Sequence, residues 1–248
     1  MWLLLVNDNM TEDNNFSISV FFPVYNDERT IPQLVSKIIP TLKSVTDDFE
    51  VILINDGSSD NSAKVIDELA KKYDNVRIIH HKKNMGYGYV LRTGFYNAKK
   101  DLVFYTDGDG QYDVSELTKL LPLIKNVDIV NGYKIKRSDA FYRIIAGDLY
   151  NWGAQILFHL KIRDVDCDFR LFRRHVFNKI KLESNSGVIC LEMIKKLQHA
   201  GFKFKEVPVH HYPRIFGTSE FFNFKRIFKV LTSFGKLWIK FMIWQEYE

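Results

Sequence analysis

Apolar segments alternate with amphipathic segments along the first half of the chain. Four nearly continuous apolar runs predict buried strands, at 18–25, 50–56, 76–81 and 101–107. Between them, apolar residues spaced three and four positions apart predict helices, the first of which runs from Ile31 to about residue 45. Continuous apolar runs are typical of parallel strands that are covered on both faces. The pattern therefore predicts consecutive βαβ units, in which ligands bind at the carboxyl ends of the strands.

The second half of the chain has a less regular pattern. Helices are predicted at 113–125, 140–160, 187–201 and 222–245, and strands at 128–133, 164–174 and 204–212. In the last helix, at ~100° per residue, four lysines fall within an arc of ~60° and apolar side chains cover most of the other side. The lysines are Lys225, Lys229, Lys236 and Lys240. This pattern suits a membrane interface and equally a helix packed on the sheet with a solvated lysine face. The apolar face is wide, which favours a helix that contacts more than one apolar surface.

The composition agrees with one large α/β domain. The chain has 248 residues, of which 46% are hydrophobic and 26% charged, and this is sufficient for a sizeable core. We expect disorder only in a flexible N-terminus, residues 1–15. Cys167 and Cys190 are too few for a disulfide framework and lack metal-ligand spacing, so we expect core thiols in a reducing compartment.

Neither a signal peptide nor a membrane-spanning segment is expected. The opening MWLLLV lacks a basic region and a cleavage site. The longest stretches without charge, 14–26 and 149–160, are shorter than the ~18 residues of a spanning helix. The net charge is +5, and basic residues outnumber acidic ones between Arg214 and Lys240, which suits phosphate or an anionic surface. Because these charges accompany a broad apolar face, a nucleic-acid binder is disfavoured.

The segment TDGDGQYD, residues 106–113, carries the candidate chemistry at the end of the fourth predicted strand. Asp107, Asp109 and Gln111 lie at every second position, so in an extended segment their side chains would leave the same face. Two nearby carboxylates repel each other unless a cation lies between them, and oxygen ligands suit Mg²⁺ or Mn²⁺. Such an ion commonly carries a diphosphate. A simple polar turn after a strand would have a similar composition.

Six motifs follow one another along the chain: PVYNDERTI, INDGSSDNS, KNMGYGYVLRTGF, TDGDGQYD, DVDCDFRLFRR and EVPVHHYPRIFGTS. In this order, from Val20 to about Ser219, the chain resembles the family 2 glycosyltransferases of the GT-A fold. It resembles more closely the branch of dolichyl-phosphate mannose synthase and related polyprenyl-phosphate glycosyltransferases. The resemblance implies an α/β fold with a GT-A (Rossmann-like), mostly parallel sheet flanked by helices over residues 16–220. The C-terminal basic amphipathic helix would follow in residues 221–248.

The resemblance also implies a donor site. The residues that would surround the nucleotide base and ribose are Pro23, Tyr25, Glu28 and Asp56. The residues that would hold Mg²⁺ or Mn²⁺ on the diphosphate are Asp107, Asp109 and Gln111, of which Asp107 and Gln111 would also contact the nucleotide sugar. A carboxylate at a strand end, like that of Asp56, can accept bonds from ring N–H groups or ribose hydroxyls. Capping of the helix that follows is its structural alternative, and the two roles can coexist.

Two positions depart from the family pattern. Lys134 stands where the family often has an arginine, so the bidentate fork is lost. Asp168 stands where a glycine often precedes phenylalanine, which adds a third acid to Asp164 and Asp166. The sequence leaves open which of the three acids lies nearest the reaction. The predicted catalytic residues are Asp109, Asp166, Asp168 and Arg170.

The implied reaction is a metal-dependent, inverting displacement at the anomeric carbon of a nucleotide-diphosphate hexose of the UDP-glucose or GDP-mannose type. The implied acceptor, polyprenyl or dolichyl phosphate, is largely ionised near neutral pH, since its second pKa is ~6. It therefore needs positive charge more than a general base. The candidates for gripping this phosphate are Lys134, Arg143, Arg170, Arg214 and Ser219. For Arg143 and Arg170, a structural salt bridge is the alternative.

We expect transfer at the cytoplasmic face of a membrane, to which the C-terminal helix attaches the protein peripherally. A partner membrane protein that flips or uses the lipid-linked sugar fits this interpretation. Two other functions stay open. One is a glycosyltransferase of the same fold that acts on a glycan or soluble hydroxyl, with Asp164, Asp166 or Asp168 as the base. The other is a catalytically inactive nucleotide-sugar binding protein, against which the intact Asp107 and Asp109 argue.

Overall fold

The computed structural model of the chain describes residues 16–135, 141–216 and 224–247. The predicted flexible N-terminus, residues 1–15, lies outside these ranges, as does the boundary predicted at residue 220. The fold and the candidate site are therefore built from the described residues alone.

Four strands and three helices alternate in the first half, as the apolar pattern predicts. The strands are β1 (Ile18–Val24), β2 (Phe49–Asn55), β3 (Val76–His80) and β4 (Leu102–Thr106). The helices are α1 (Ile31–Lys43), α2 (Ser62–Lys72) and α3 (Tyr87–Asn97). The four strands are parallel to their neighbours in the order β3-β2-β1-β4, so their carboxyl ends share one edge.

The second half adds three strands and four helices to this unit. In chain order they are α4 (Leu117–Ile124), β5 (Ile129–Ile135), α5 (Phe141–Phe158), β6 (Phe169–Arg173), α6 (Ile189–His199), β7 (Phe204–His210) and α7 (Phe224–Trp238). Short 3₁₀ turns precede α4 and follow β6, and a π-helical turn, Ile239–Ile243, continues α7. Within the described residues, the sheet has seven strands in the order β3-β2-β1-β4-β6-β5-β7.

Strand β6 differs from the prediction in length and direction. The sequence predicts a strand from residue 164, but the strand begins at Phe169 and runs antiparallel to both β4 and β5. Residues 164–168 form a loop because Asp164 accepts hydrogen bonds from the backbone N–H groups of Lys134 and Asp166. The prediction of a mostly parallel sheet flanked by helices is confirmed, with β6 as the antiparallel strand.

The two faces of the sheet have separate apolar cores. Phe22 packs on the side of α1 and α4, whereas its neighbour Phe21 packs on the side of α3 and α6. A side chain at Gly94 of α3 would place its Cβ 2.4 Å from the Phe21 ring, so this helix approaches the sheet only because residue 94 is glycine. Both cysteines are buried and unpaired with each other, as predicted.

Helices α5, α6 and α7 form a third apolar cluster beside the sheet. Phe234 of α7 lies between Tyr150 and Phe158 of α5, with ring centroids 5.6 and 5.1 Å away. Trp238 donates its indole N–H to the carbonyl of Leu157 at 3.1 Å. The C-terminal helix is therefore docked on the domain along one side. Within the described ranges, each helix is either too short or too polar to cross a bilayer.

Candidate active site

The segment after β4 is a turn, not the extended segment that the alternation of Asp107, Asp109 and Gln111 predicts. Gly110 has a φ of +75°, which favours glycine. A Cβ on Gly108 would lie 2.3 Å from the carbonyl oxygen of Pro23. The turn thus packs directly against the end of β1, and the side chain of Gln111 points away from those of Asp107 and Asp109.

Asp107 lies where several acidic groups converge. Its Oδ1 accepts a hydrogen bond from the Tyr87 hydroxyl at 2.7 Å. Burial raises the pKa of the Asp107 carboxyl well above its usual value, and repulsion from Asp168 and Asp109 raises it further. Positive charge at this position would therefore be strongly favoured.

Asp109 is 8% exposed and makes two contacts. Oδ1 accepts from the backbone N–H of Gln111 at 3.0 Å, and Oδ2 lies 2.5 Å from Nη2 of Arg214. Arg214 follows β7, so the closing loop of the predicted family pattern reaches the acidic turn. In this conformation the guanidinium supplies the positive charge beside Asp109.

Asp27 belongs to the same acidic group, and the sequence reasoning missed it. Burial, reinforced by repulsion from Asp109, raises the pKa of Asp27 to about 6, although the backbone N–H of Tyr25 opposes this shift. The position of Asp27 just after the carboxyl end of β1 is the signal that could have identified it.

Gln111 does not face the acidic group. Its side-chain Nε2 donates to the carbonyl of Tyr212 at 3.1 Å, and the N–H of Tyr212 donates to the Gln111 carbonyl at 2.8 Å. The residue therefore joins the turn to the segment after β7. In the part of the chain that the structure describes, no three His, Cys, Asp or Glu side chains form a ready-made metal site.

A divalent ion on a nucleotide fits the remaining residues. Mg²⁺ is usually held by one or two carboxylates together with substrate phosphates, and Asp107 and Asp109 are two such carboxylates. Their mutual repulsion, visible in the raised pKa of Asp107, would be relieved by a cation. The sequence predicts Gln111 as a third metal ligand, but in this conformation its side-chain amide contacts Tyr212 and does not face the two carboxylates.

Asp56 holds the loop before α3. Its Oδ1 accepts from the N–H of Met85 at 2.9 Å and its Oδ2 from the N–H of Gly86 at 3.0 Å. The start of α2 is instead bound by Asp60, whose Oδ1 accepts from the N–H of Ser62 at 2.9 Å. The sequence offers capping of α2 as a structural role for Asp56. The structure shows Asp56 bound at the start of α3 instead.

The other predicted nucleotide-binding residues lie in the β1–α1 loop. Glu28 accepts from the N–H of Asn61 at 2.9 Å and donates its own N–H to Asp60 at 3.3 Å. The backbone N–H of Tyr25 donates to Asp27 at 3.2 Å. Pro23 is the penultimate residue of β1. These residues border the acidic group, and their contact with a nucleotide stays a prediction.

Asp164 faces away from the acidic turn. Lys134 places its Nζ 3.4 Å from Oδ1 of Asp164 and donates to the carbonyl of Asp166 at 2.6 Å. Burial opposes ionisation of Asp164, but Lys134 and Asn151 outweigh it and keep its pKa below the usual value. The Lys134 side chain is 7% exposed, so in this conformation it binds the acid loop and not an acceptor phosphate.

Asp168 is the acid of the 164–168 loop that faces the turn. It accepts hydrogen bonds from the Tyr105 hydroxyl at 3.0 Å and from the Cys190 thiol at 3.2 Å, and it repels Asp107. Asp166 lies beside it, and burial raises the pKa of Asp166 to about 6 despite the opposing charge of Lys134. Of the three acids, Asp168 lies beside Asp107 and Asp164 pairs with Lys134, and which of them lies nearest the reaction stays a prediction.

Arg170 is fully buried, with 0% of its surface exposed. Nε donates to Oδ1 of Asn131 at 2.5 Å, Nη2 donates to the carbonyl of Val165 at 2.5 Å, and Nη1 donates to the Tyr105 hydroxyl. Nη1 also lies 3.7 Å from Asp168. In this conformation Arg170 makes the structural salt bridge and exposes no surface to reactants, so its predicted catalytic role stays a prediction.

Two predicted phosphate-binding residues have no described side chain. Arg143 lies in the first turn of α5, where the backbone alone is described, and Ser219 lies outside the described residues. Of the three candidates whose side chains are described, Lys134, Arg170 and Arg214, the one beside the acidic turn is Arg214.

Comparison of the sequence with known families finds a match to the glycosyl transferase family 2 model over residues 19–181. A curated relative from Proteus mirabilis (strain HI4320), undecaprenyl-phosphate 4-deoxy-4-formamido-L-arabinose transferase, is 34% identical over 163 residues. The match covers 65% of this chain and 50% of the relative, so the chain spans about half the length of that protein.

Solved structures with the same fold have lower sequence identity. Glucosyl-3-phosphoglycerate synthase from Mycobacterium tuberculosis, in complex with Mn²⁺, uridine-diphosphate and phosphoglyceric acid, has a TM-score of 0.62 at 15% identity and covers 82% of this chain and 72% of its own. A mannosyltransferase from Pyrobaculum calidifontis, in complex with GDP-Man and Mn²⁺, has a TM-score of 0.62 at 16% identity and covers 83% of this chain and 59% of its own. The predicted GT-A fold is confirmed.

Proposed function

The chain belongs to glycosyl transferase family 2, and we propose that it transfers a hexose from a nucleoside-diphosphate donor to polyprenyl phosphate at the cytoplasmic face of a membrane. The observation that carries this proposal is the crowding of carboxyl groups at the carboxyl end of β4. Asp107 is buried there near Asp109 and Asp168, and its pKa is raised by burial first and by the charges of these two neighbours next. A site of this kind suits a diphosphate that arrives with a divalent cation.

In the proposed donor site, residues at the ends of different strands bind different parts of the donor. Asp56, at the end of β2, would receive hydrogen-bond donors of the base or ribose. Asp107 and Asp109 would hold Mg²⁺ or Mn²⁺, which when bound supplies positive charge to the leaving diphosphate. Tyr87 orients Asp107 through its hydroxyl. The fold shared with proteins solved with Mn²⁺ and UDP or GDP-mannose supports this arrangement.

Arg214 is the proposed contact for the acceptor phosphate. Its guanidinium lies against Asp109, and a cation that bound Asp109 would compete with it. Arginine binds phosphate bidentately, so a guanidinium displaced from Asp109 would meet a phosphate that enters beside the donor. The P. mirabilis relative carries undecaprenyl phosphate in its name, which supports a lipid phosphate as the acceptor.

A hydroxyl acceptor is the second candidate, and one observation favours it. The pKa of Asp166 is raised to about 6 by burial, and a carboxylate with a pKa near the working pH is a suitable general base. An ionised phosphate needs no such base. The two candidates therefore differ in whether the acceptor must lose a proton.

The acceptor class is tested by offering two lipids that differ in one group. Wild-type protein is incubated with a panel of radiolabelled nucleotide sugars, Mn²⁺, and either a short polyprenyl phosphate or the corresponding polyprenyl alcohol. We expect label in the lipid phase with the phosphate and none with the alcohol. Transfer to the alcohol, or to a soluble glycan in preference to the phosphate, would favour the hydroxyl acceptor.

Peripheral attachment to the membrane is supported by apolar side chains that the domain leaves exposed. On α7, Phe228 is 66% exposed and Leu231 is 61% exposed, while Phe234 and Leu237 of the same helix pack inward. The apolar face is thus wider than its contact with the domain. In the sequence pattern the four lysines of the C-terminal segment share one side of the helix, beside its apolar residues, which is the arrangement of a helix that lies in an anionic interface.

A second exposed apolar row lies on α5. Its members are spaced at helical intervals on one side of the helix: Ile145, Leu149, Trp152 and Ile156. The opposite side carries Asn151, which donates to Asp164 at 3.2 Å and accepts from the N–H of Val165 at 2.8 Å. The helix that presents this row therefore also holds the 164–168 loop, whose Asp168 lies beside Asp107.

The membrane proposal predicts that charge on the exposed strip of α7 weakens vesicle binding. We expect the double substitution Phe228→Asp and Leu231→Asp to reduce sedimentation with phosphatidylglycerol vesicles at least about tenfold, because two large apolar side chains lose their burial in lipid. Ser36→Asp, on the exposed side of α1, adds the same kind of charge and should bind like wild type. Equal sedimentation of all three proteins would contradict the proposal.

A further inference from the structure

Three donors converge on the carboxylate of Asp56, which is 3% exposed. Besides the backbone N–H groups of Met85 and Gly86, Nδ1 of His81 lies 2.7 Å from Oδ1. An ionised carboxylate accepts hydrogen bonds only, so Nδ1 of His81 carries the hydrogen. Of these three donors, two are backbone N–H groups and the third is the side chain of His81.

His81 is itself held on several sides. Its backbone N–H donates to the carbonyl of Asn55 at 2.9 Å. Its Nε2 lies 3.1 Å from the Thr93 hydroxyl, and its ring packs edge-on against Tyr89 at 5.0 Å. The side chain is 8% exposed. Because Thr93 and Tyr89 belong to α3, the imidazole ties the ends of β2 and β3 to that helix.

The loop that Asp56 binds is confined from the opposite side. A Cβ on Gly86 would lie 2.6 Å from the carbonyl oxygen of Asn185, and one on Gly88 would lie 2.4 Å from that of Ser184. The loop therefore has no room to move toward residues 184–185. The position of the loop relative to the nucleotide therefore depends on the hydrogen bonds that Asp56 makes to it from the other side, and on His81, which contacts Asp56.

We propose that His81 is a positioning residue of the donor site, which fixes the rotamer of Asp56 and the loop at Met85 and Gly86 for binding of a nucleoside diphosphate. A carboxylate has about four acceptor positions, and three are filled here. The fourth is left for a ring N–H or ribose hydroxyl. Without the His81 hydrogen bond the carboxylate can rotate, and that fourth position is no longer aimed at the ligand. This inference rests on the nucleotide role proposed for Asp56.

The chain offers a rescue variant and a matched control. Asparagine at position 81 can place its amide N–H close to the position of the imidazole Nδ1–H, whereas leucine cannot donate. His80 is the neighbouring histidine, and its ring nitrogens contact Asn55 and Asp67 instead. The variants are therefore His81→Leu, His81→Asn and His80→Leu.

Equilibrium binding of UDP and GDP, together with steady-state kinetics, tests the inference. We expect His81→Leu to raise the Kd for the nucleotide that wild type binds, and the KM for its sugar donor, by about tenfold. We expect kcat to change by less than about threefold, because Asp56 does not touch the reacting bond. His81→Asn should restore most of the affinity, and His80→Leu should bind like wild type.

Hydrogen exchange of the ligand-free protein separates this inference from the proposed function. His81→Leu should speed exchange of the Met85 and Gly86 amides, and His81→Asn should not. Unchanged exchange and affinity in His81→Leu would overturn the inference, as would equal losses in the leucine and asparagine variants. If wild type bound neither nucleotide while the exchange pattern held, His81 would still position Asp56 and the proposed nucleotide function would be wrong.

Discussion

Asp109→Ala is expected to lower kcat for sugar transfer by about a thousandfold, because a carboxylate that holds the metal on a leaving diphosphate supplies several kcal/mol to the transition state. The carboxylate lies in a turn packed on the end of β1, and it also restrains Arg214. Its loss therefore affects both the proposed cation site and the proposed acceptor contact. The measurement is transfer of labelled sugar at saturating donor.

The control for this variant lies just before the other end of β4. Asp101 precedes β4 and accepts from the Ser17 hydroxyl at 2.7 Å, remote from the acidic turn. Asp101→Asn should transfer sugar at close to the wild-type rate. An Asp109→Ala protein that melts like wild type and keeps full activity would contradict the proposed role of this carboxylate.

Arg170→Met is expected to destabilise the fold by about 3 to 5 kcal/mol, because it removes one partner from a buried charged network and leaves the others unsatisfied. Asn131, Tyr105 and the carbonyl of Val165 each lose a donor, and Asp168 loses its nearby positive charge. For a chain of this size the melting temperature should fall by roughly 10 °C. Thermal unfolding measured by circular dichroism checks this.

Arg173 provides the comparison for Arg170. It lies on the same strand, but it is only partly buried and donates to carbonyls at and after the end of α4, including that of Val127 at 3.2 Å. Arg173→Met should cost less stability than Arg170→Met. If Arg170→Met melted like wild type but lost transfer, Arg170 would contact the reactants directly, and the structural assignment would be wrong.

The apolar pattern predicted most of the fold because burial dictates it. Strands β1, β2 and β4 are apolar along nearly their whole length, and the structure buries them between two layers of helices. The direction of β6 was not predictable in this way. An apolar run indicates a buried strand but carries no information on whether its neighbours run parallel or antiparallel.

Spacing along the chain was a weaker guide to the site. Asp107 and Asp109 do lie at the carboxyl edge of the sheet, as expected from their place after β4. Gln111 shares their spacing, yet Gly110 adopts a positive φ and the chain turns, so its amide meets Tyr212 instead. Side chains two positions apart share a face only where the backbone is extended. A glycine that adopts a positive φ ends the extended segment, so the rule no longer holds beyond it.

Contacts between segments that are distant in the sequence determine the surroundings of the remaining candidate residues. Asp27 comes close to Asp109 only in the folded chain, and Arg170 is buried through partners from β4, β5 and the 164–168 loop. Charge alone does not tell whether an arginine binds a ligand or other residues of the domain. For Arg214 and Arg170 the difference is burial, which depends on tertiary packing.

The most direct test of the central claim is metal-dependent transfer by the wild-type protein. Labelled sugar from each nucleotide sugar is followed into polyprenyl phosphate with Mn²⁺, with Mg²⁺ and with a chelator. The carboxyl groups around Asp107 predict label in the lipid with either ion for one donor, and none with the chelator. Transfer that proceeds equally in the chelator would contradict a metal-held diphosphate at this site, and no lipid product from any donor would contradict the proposed acceptor.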